Sequence, residues 1–395
     1  MPTVMAPPAS KQHATLALRN GPAVTQGKRT HASFLHSGLL ARPGLEALRH
    51  IHTGRSPQPP VHYLSGRRLV ALKHGEASIA MPASGWFCGP KGRLHPGIFA
   101  FLLDMTHLYA VVSTLPAGVG CTTAELSVTV LGEPPPSGAE ITATSRVVYS
   151  GERHALAEGL VAGPGGQPVA HSSSRYFLYA PGDIAPSRSA GEPRPEARPP
   201  GADAILAAPV PQITPAGPAL LQGLSGLEIL TAQLTGDIPA APIGQLTGIR
   251  LAEADDGRVV FSLPAQPSLV QELGTVFGGV IALLAKSATE AAVQSIAPAG
   301  TGFTAVDLKV NFLRPARAEG AEGDELIATG SVTHRGSRLS IADAVITQRG
   351  RRIAIATGTT ALTRPGPSSR CDRGREAGAT RLERCAGAPS AGMAN

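Results

Sequence analysis

Aromatic side chains are scarce: nine Phe, five Tyr and one Trp in 395 residues. That excludes a stacking platform for single-stranded nucleic acid, which needs successive rings. Cysteine is nearly absent. Cys88, Cys121, Cys371 and Cys385 form no Cys-x-x-Cys pair, so neither a zinc site nor a disulfide framework is expected. A chain so poor in cysteine suits a reducing compartment, and the expected location is cytoplasmic. There is no run of about 18 apolar residues, so no membrane span is expected. Also missing are a Gly-x-Ser-x-Gly elbow, a P-loop and a His-Glu-x-x-His motif, which argues against an α/β-hydrolase, a P-loop nucleotidase and a zincin. Acids are missing from the N-terminus. Lys11, Arg19, Lys28, Arg29 and Arg42 all precede the first one, Glu46, and carry much of the net charge of +7. With no apolar h-region and no Arg-lined helical face, residues 1–40 read as a disordered basic extension or an over-called start rather than a transit peptide.

What the chain does have is an internal repeat. At a fixed offset of 182, Gly44-Leu45-Glu46 falls on Gly226-Leu227-Glu228, and Pro116-Ala117-Gly118 on Pro298-Ala299-Gly300. Gly97, Ala100, Leu102, Leu126 and Val128 fall on Gly279, Ala282, Leu284, Leu308 and Val310. After a three-residue insertion, Gly151, Arg153 and Ala157 match Gly336, Arg338 and Ala342. Chance agreement at one offset is roughly one position in fifteen for ordinary composition. The repeat therefore sets the domains at 41–180 and 219–365. Residues 181–218, dense in Pro, Ala and Arg, read as a semi-rigid linker. Residues 366–395 read as a disordered tail.

Periodicity predicts the same elements in each copy. A short amphipathic helix opens it (Leu45, Leu48 and Ile51; Leu227, Leu230 and Leu234). A strand follows (Ala77 to Met81; Val259 to Leu263). A central helix is apolar at helical spacing, with Ile98, Phe99, Leu102 and Met105 in copy one and Val280, Ile281, Leu284 and Ala288 in copy two. Period-two strands come next, through Leu126, Val128 and Val130, and through Val306, Leu308 and Val310. Two hairpin-like strands close each copy, turning near Gly165-Gly166 and near Arg349-Gly350. The expected class is α+β, one long helix wrapped by a curved antiparallel sheet, twice over.

The strings around the central helices carry a resemblance. Copy two reads Leu273-Gly-Thr-Val-Phe-Gly-Gly-Val-Ile-Ala-Leu-Leu-Ala-Lys286, and then Phe303-Thr-Ala-Val-Asp-Leu-Lys-Val-Asn-Phe-Leu-Arg-Pro315. Copy one reads His95-Pro96-Gly97, with Asp104 nine residues after the His. This resembles PaaI-like acyl-CoA thioesterases of the hotdog fold. Their pattern is Asn, five residues, His-Gly-Gly, and an Asp nine residues after the His. The resemblance implies two hotdog domains pairing as an intramolecular pseudo-dimer, with each site borrowing from both. Both copies depart from the pattern. Copy one keeps His95 and Asp104 but has Pro96 for the first Gly and Gly89 for the Asn. Copy two keeps Gly278-Gly279 and has Gln271 at the Asn position, but Phe277 replaces the His and Lys286 the Asp.

Thioester hydrolysis needs donors for the carbonyl oxygen as it gains charge, and a carboxylate to activate water or attack directly. A helix N-terminus with glycine supplies the donors. Eight residues of helix separate the glycine from the acid position, roughly 12 Å of rise. Donor and acid at one carbon must therefore come from two different helices. The expected site combines Gly278 N–H, Gln271, Asp104 and Thr122 as catalytic groups. His95, Gly279, Gly97 and Thr304 are the candidate substrate-binding residues. Plainer roles stay open: Gln271 as a loop cap, Pro96 as an ordinary first helical residue, and Thr122 with its match Thr304 as a shared structural turn. Lys286 reads as a snorkelling surface lysine, or as a partner for Asp104 or a phosphate. The mate site would set Pro96, which has no N–H, against Lys286, so one working site is expected.

The reading is hydrolysis of an acyl-CoA thioester, with coenzyme A as part of a small-molecule substrate and no metal or redox cofactor. The alternatives are a non-catalytic acyl-CoA-binding or scaffold protein on the same fold, and a hotdog hydratase or dehydratase. Two double-domain units could still associate as a homodimer.

Overall fold

The computed structural model describes residues 40–55, 58–89, 93–179, 223–271, 275–318 and 324–363. The N-terminal extension, the linker and the C-terminal tail expected from sequence lie outside these residues, apart from Leu40.

Copy one opens with helices α1 (Gly44–His52) and α2 (Pro60–Ser65) and the hairpin β1 (Arg68–Lys73) and β2 (Glu76–Pro82). The central helix α3 (Gly97–Val112) follows, then β3 (Gly120–Val130), β4 (Glu140–Ser150), β5 (His154–Ala162) and β6 (Pro168–Tyr179). Copy two repeats the order. Its helices are α4 (Gly226–Thr235), α5 (Pro242–Thr247) and the central α6 (Gly278–Ser295), with β7 (Arg250–Asp255) and β8 (Arg258–Pro264) before α6. After it come β9 (Gly302–Ala305), β10 (Asp307–Phe312), β11 (Glu325–His334), β12 (Leu339–Gln348) and β13 (Arg351–Thr363).

The expected elements are present, and sequence periodicity missed β4, β9, β11, the short helices α2 and α5, and the strands β1 and β7. The last two are edge strands whose residues are only exposed or half-buried, so no apolar alternation marks them. The predicted turns stand between β5 and β6 and between β12 and β13. Arg349 (φ 50°) and Gly350 (φ 72°) both adopt left-handed backbone there, as a tight two-residue hairpin turn requires.

All strands form one antiparallel sheet in the order β1-β2-β4-β5-β6-β3-β10-β13-β12-β11-β8-β7, with β9 on β13. Read from its middle, the order is a palindrome. Leu126 pairs with Val310 and Val128 with Leu308, and the repeat offset exchanges these pairs. The β3–β10 join is thus a pseudo-two-fold contact within one chain, the isologous kind that a homodimer would use. Each copy is a hotdog: a central helix held in the curve of its own half-sheet.

Helix α3 is buried on nearly every side, as expected of a helix apolar all round. The two central helices also pack on each other, so Leu102, Leu103, Leu283 and Leu284 belong to one continuous core. Glycine permits the approach. A β-carbon on Gly279 would lie 2.8 Å from the Phe101 Cα, and one on Gly97 would lie 3.1 Å from the Leu283 Cα. The offset of 182 exchanges these contacts too. Phe101 and Phe277 close the crossing edge to face, centroids 5.3 Å apart. No helix among the described residues is long and apolar enough to cross a membrane.

Candidate active site

The helix crossing brings Asp104 of copy one to the N-terminus of α6 in copy two. Asp104 is 1% exposed. Its Oδ2 lies so close to Gly278 that a β-carbon there would be 2.7 Å away. Within α6, Val280 N–H closes back onto Phe277 O at 3.0 Å. Gly278 and Gly279 therefore sit in the first turn, where N–H groups have no intrahelical acceptor. Asp104 and the glycine turn thus belong to two different helices, one from each copy.

Burial pushes the Asp104 carboxyl up to about 7. Hydrogen bonds from the Thr123 hydroxyl, the Gly279 backbone and Tyr176 oppose the shift. Thr123 Oγ1 donates to Asp104 Oδ1 at 2.9 Å, and Tyr176 OH donates to the Asp104 backbone carbonyl at 3.2 Å. Oδ2 has no hydrogen-bond partner that meets ordinary geometry and faces the helix terminus. A carboxylate poised to ionise near neutrality beside the first-turn N–H groups of α6, one of which (Gly279) already acts on it, has the means to activate or attack, while N–H groups at such a terminus are suited to hold a developing oxyanion.

Two threonine expectations need correction. The hydroxyl on Asp104 belongs to Thr123, not Thr122. Neighbouring residues of a strand face opposite sides: Thr123 pairs with buried Tyr176, while Thr122 pairs with Phe177, 42% exposed. Thr122 instead hydrogen-bonds Tyr179. Its match Thr304 is exposed on β9, opposite Ala361. The signal was present in the sequence, because Thr123 stands one position along in a Thr-Thr pair.

Gln271 is half-buried, and its Nε2 donates to Thr275 Oγ1 at 2.9 Å, so its amide braces the loop before α6. Gly97 and Gly279 sit at the helix crossing. Gly97 N–H donates to His95 Nδ1 at 3.1 Å, so it is already engaged. His95 is buried, and that burial lowers it to about 4, with Glu290 opposing and Lys286 adding to the shift. It is a neutral ring near pH 7. It belongs with copy two's Lys286 and Glu290, at the mate position, and not with Asp104.

Lys286 is not a surface lysine. It is 2% exposed, and its Nζ lies 3.6 Å from Glu290 Oε2. Neither a phosphate nor Asp104 is needed to explain its charge partner. The mate site has also lost the hydroxyl, since the residue matching Thr123 is Ala305, buried on β9. Among the described residues, no three His, Cys, Asp or Glu side chains gather as a metal would require.

Residues 273–355 match the thioesterase superfamily model. The match lies within the second copy and takes in α6 and most of the strands after it. A Halobacterium salinarum protein that carries an esterase name is 33% identical over 101 residues, 24% of this chain; the match spans 63% of that relative's length. Among solved structures, the tesB protein of Mycobacterium avium subspecies paratuberculosis aligns with TM-score 0.47 at 13% identity, over 77% of this chain and 98% of that one. An acyl-CoA thioesterase II from Mycobacterium marinum gives 0.45 at 12%, over 77% and 98%. The PaaI protein of E. coli gives 0.31 at 16%, over 36% of this chain and 97% of its own.

Proposed function

We propose that this protein hydrolyses acyl-CoA thioesters to free acid and coenzyme A at one composite site between the copies. One observation carries the reading: a buried carboxylate of α3, Asp104, abuts the N-terminal turn of α6, inside the segment that matches the thioesterase superfamily model. The Gly278 and Gly279 N–H groups receive the thioester oxygen as it becomes an oxyanion. Ionised Asp104 takes a proton from water as it attacks, or attacks the carbonyl carbon itself. Thr123 holds Oδ1 so that Oδ2 faces the reacting carbon. On the first route Asp104 passes the proton taken from water to the departing sulfur, so coenzyme A leaves as the thiol and the acyl group as the acid; on the second, the thiolate leaves first and takes a proton from water, and a second water cleaves the acyl–Asp104 anhydride to release the acid.

The test is thiol release from short, medium, long and aromatic acyl-CoA esters, comparing wild type with Asp104→Asn and Lys286→Ala. Release lost in Asp104→Asn and kept in Lys286→Ala is expected. Equal loss in both would sink the single-site reading. No release by folded wild type from any ester would favour a non-catalytic acyl-CoA-binding protein.

A further inference from the structure

The mate site is not merely an empty copy of the first. The repeat offset that carries Gly97 onto Gly279 and Phe101 onto Leu283 carries Asp104 onto Lys286, so a cation stands where the first site has its acid. Lys286 Nζ is buried and makes no hydrogen bond. Its near neighbour, Glu290 Oε2, is 3.6 Å away, beyond hydrogen-bond reach. Glu290 Oε2 likewise makes no hydrogen bond, so the ion pair balances charge while the three ammonium donors stay unspent as hydrogen bonds, and unspent donors inside a protein are costly.

The entry to α3 lies against the turn of α6 that precedes Lys286, where a β-carbon on Gly97 would be 3.1 Å from the Leu283 Cα. Lys286 and Glu290 both act on His95 there. Because His95 Nδ1 accepts the Gly97 N–H, the neutral ring carries its proton on Nε2, a further donor. Pro96 supplies no N–H, while Ile98 and Phe99 N–H groups bond to His95 O and Pro96 O. No backbone pair is left to form an oxyanion hole. The polarity is reversed from the first site: side-chain donors and the positive end of α3, with the Glu290 carboxylate beside Lys286. Leu94, Ile98 and Leu283 around it are buried and apolar.

We propose that this second composite site, Lys286 and Glu290 of α6 against His95 before α3, binds a small monocarboxylate with an apolar tail and does no hydrolysis. The carboxylate takes the Lys286 donors and the His95 Nε2–H, displacing the weak contact to Glu290. That this ligand is the acid released at the first site rests on the hydrolysis proposed above; the binding does not.

Equilibrium dialysis with radiolabelled octanoate tests it on the full chain. Wild type and Asp104→Asn should both bind saturably, because Asp104 lies outside the second site. Lys286→Met should weaken binding roughly tenfold or more, the usual effect of losing a charge-assisted hydrogen bond. Glu290→Gln should tighten it by removing the competing carboxylate. The paired variant Lys286→Met with Glu290→Leu guards against misfolding, since replacing a whole buried ion pair with apolar groups is commonly neutral or stabilising. It should melt like wild type and bind no octanoate. Equal affinity in wild type and the paired variant, or no saturable binding by wild type at millimolar octanoate, would overturn the proposal. Thiol release is read separately. Binding without release would count against the hydrolysis alone, and release without binding against the second site alone.

Discussion

Replacing Asp104 by asparagine keeps the buried volume and removes the charge. Burial holds the folded-state carboxyl at about 7, against an ordinary 3.8 in the unfolded chain. Between those values the folded protein keeps a proton that the unfolded chain has released. Stability from this group is therefore full at acid pH and is lost as pH rises through about 7. A difference of that size corresponds to roughly 4 kcal/mol in total, of which about 2–3 kcal/mol falls between about pH 5 and pH 8. Asparagine does not titrate. The stability of Asp104→Asn relative to wild type should therefore improve by that amount across the interval. His62, His95 and His107 also titrate differently on folding, but both proteins share them and they cancel. Any misfit between the asparagine amide and Gly279 N–H is a constant offset and leaves the slope alone. Urea unfolding of both proteins at several pH values reads the quantity through the midpoint and m. A gap that stays constant from pH 5 to pH 8 would refute the claim that Asp104 is desolvated in the fold.

On the proposed mechanism the same ionisation governs turnover. Thiol release should rise with pH and level off above about 7, measured as the pH profile of kcat/KM on one acyl-CoA ester. Thr123→Val should shift that midpoint upward by about one pH unit or more, because it removes a hydrogen bond to the charged form. Thr122→Val should leave it in place, and equal shifts in both would contradict the assignment of Thr123. Gly279→Ala should cost about 1–3 kcal/mol of stability, since its new carbon would sit 2.6 Å from the Phe277 ring and 2.8 Å from the Phe101 backbone. His107→Gln should resist acid better than wild type. Burial lowers His107 from 6.5 to about 3, so its neutral burial loses stability as pH falls through that window, which acid unfolding followed by circular dichroism would detect.

Much of the architecture was legible because it is written in local patterns. Helical spacing marked α3 and α6, alternation marked the inner strands, and the glycines at fixed offset marked close approaches. The edge strands β1 and β7 escaped because no buried face patterns them. At the site, the pairing of Asp104 with the glycines of α6 followed from sequence alone, since glycine and acid positions on any one helix stand too far apart in rise to meet at one carbon. Gln271 fell where expected in sequence, but its amide is tied to Thr275.

Three things needed the tertiary structure. The choice between Thr122 and Thr123 depends on which face of β3 looks inward beside a register shift between Thr123 and Glu125, and one residue of slip reverses every side chain. The burial of Lys286 depends on the facing copy, because a lysine among small and apolar residues on a helix reads equally as a snorkelling surface group. The company of His95, Lys286 and Glu290 arises only from the crossing of two helices nearly two hundred positions apart in the chain. The sequence by itself determined the repeat, the central helices and the inner strands, because those follow from periodicity, and the length of a helical turn limited which groups one helix could bring together. Which side chains meet across the pseudo-two-fold was decided by packing, since the chemistry of the interface belongs to neither copy alone.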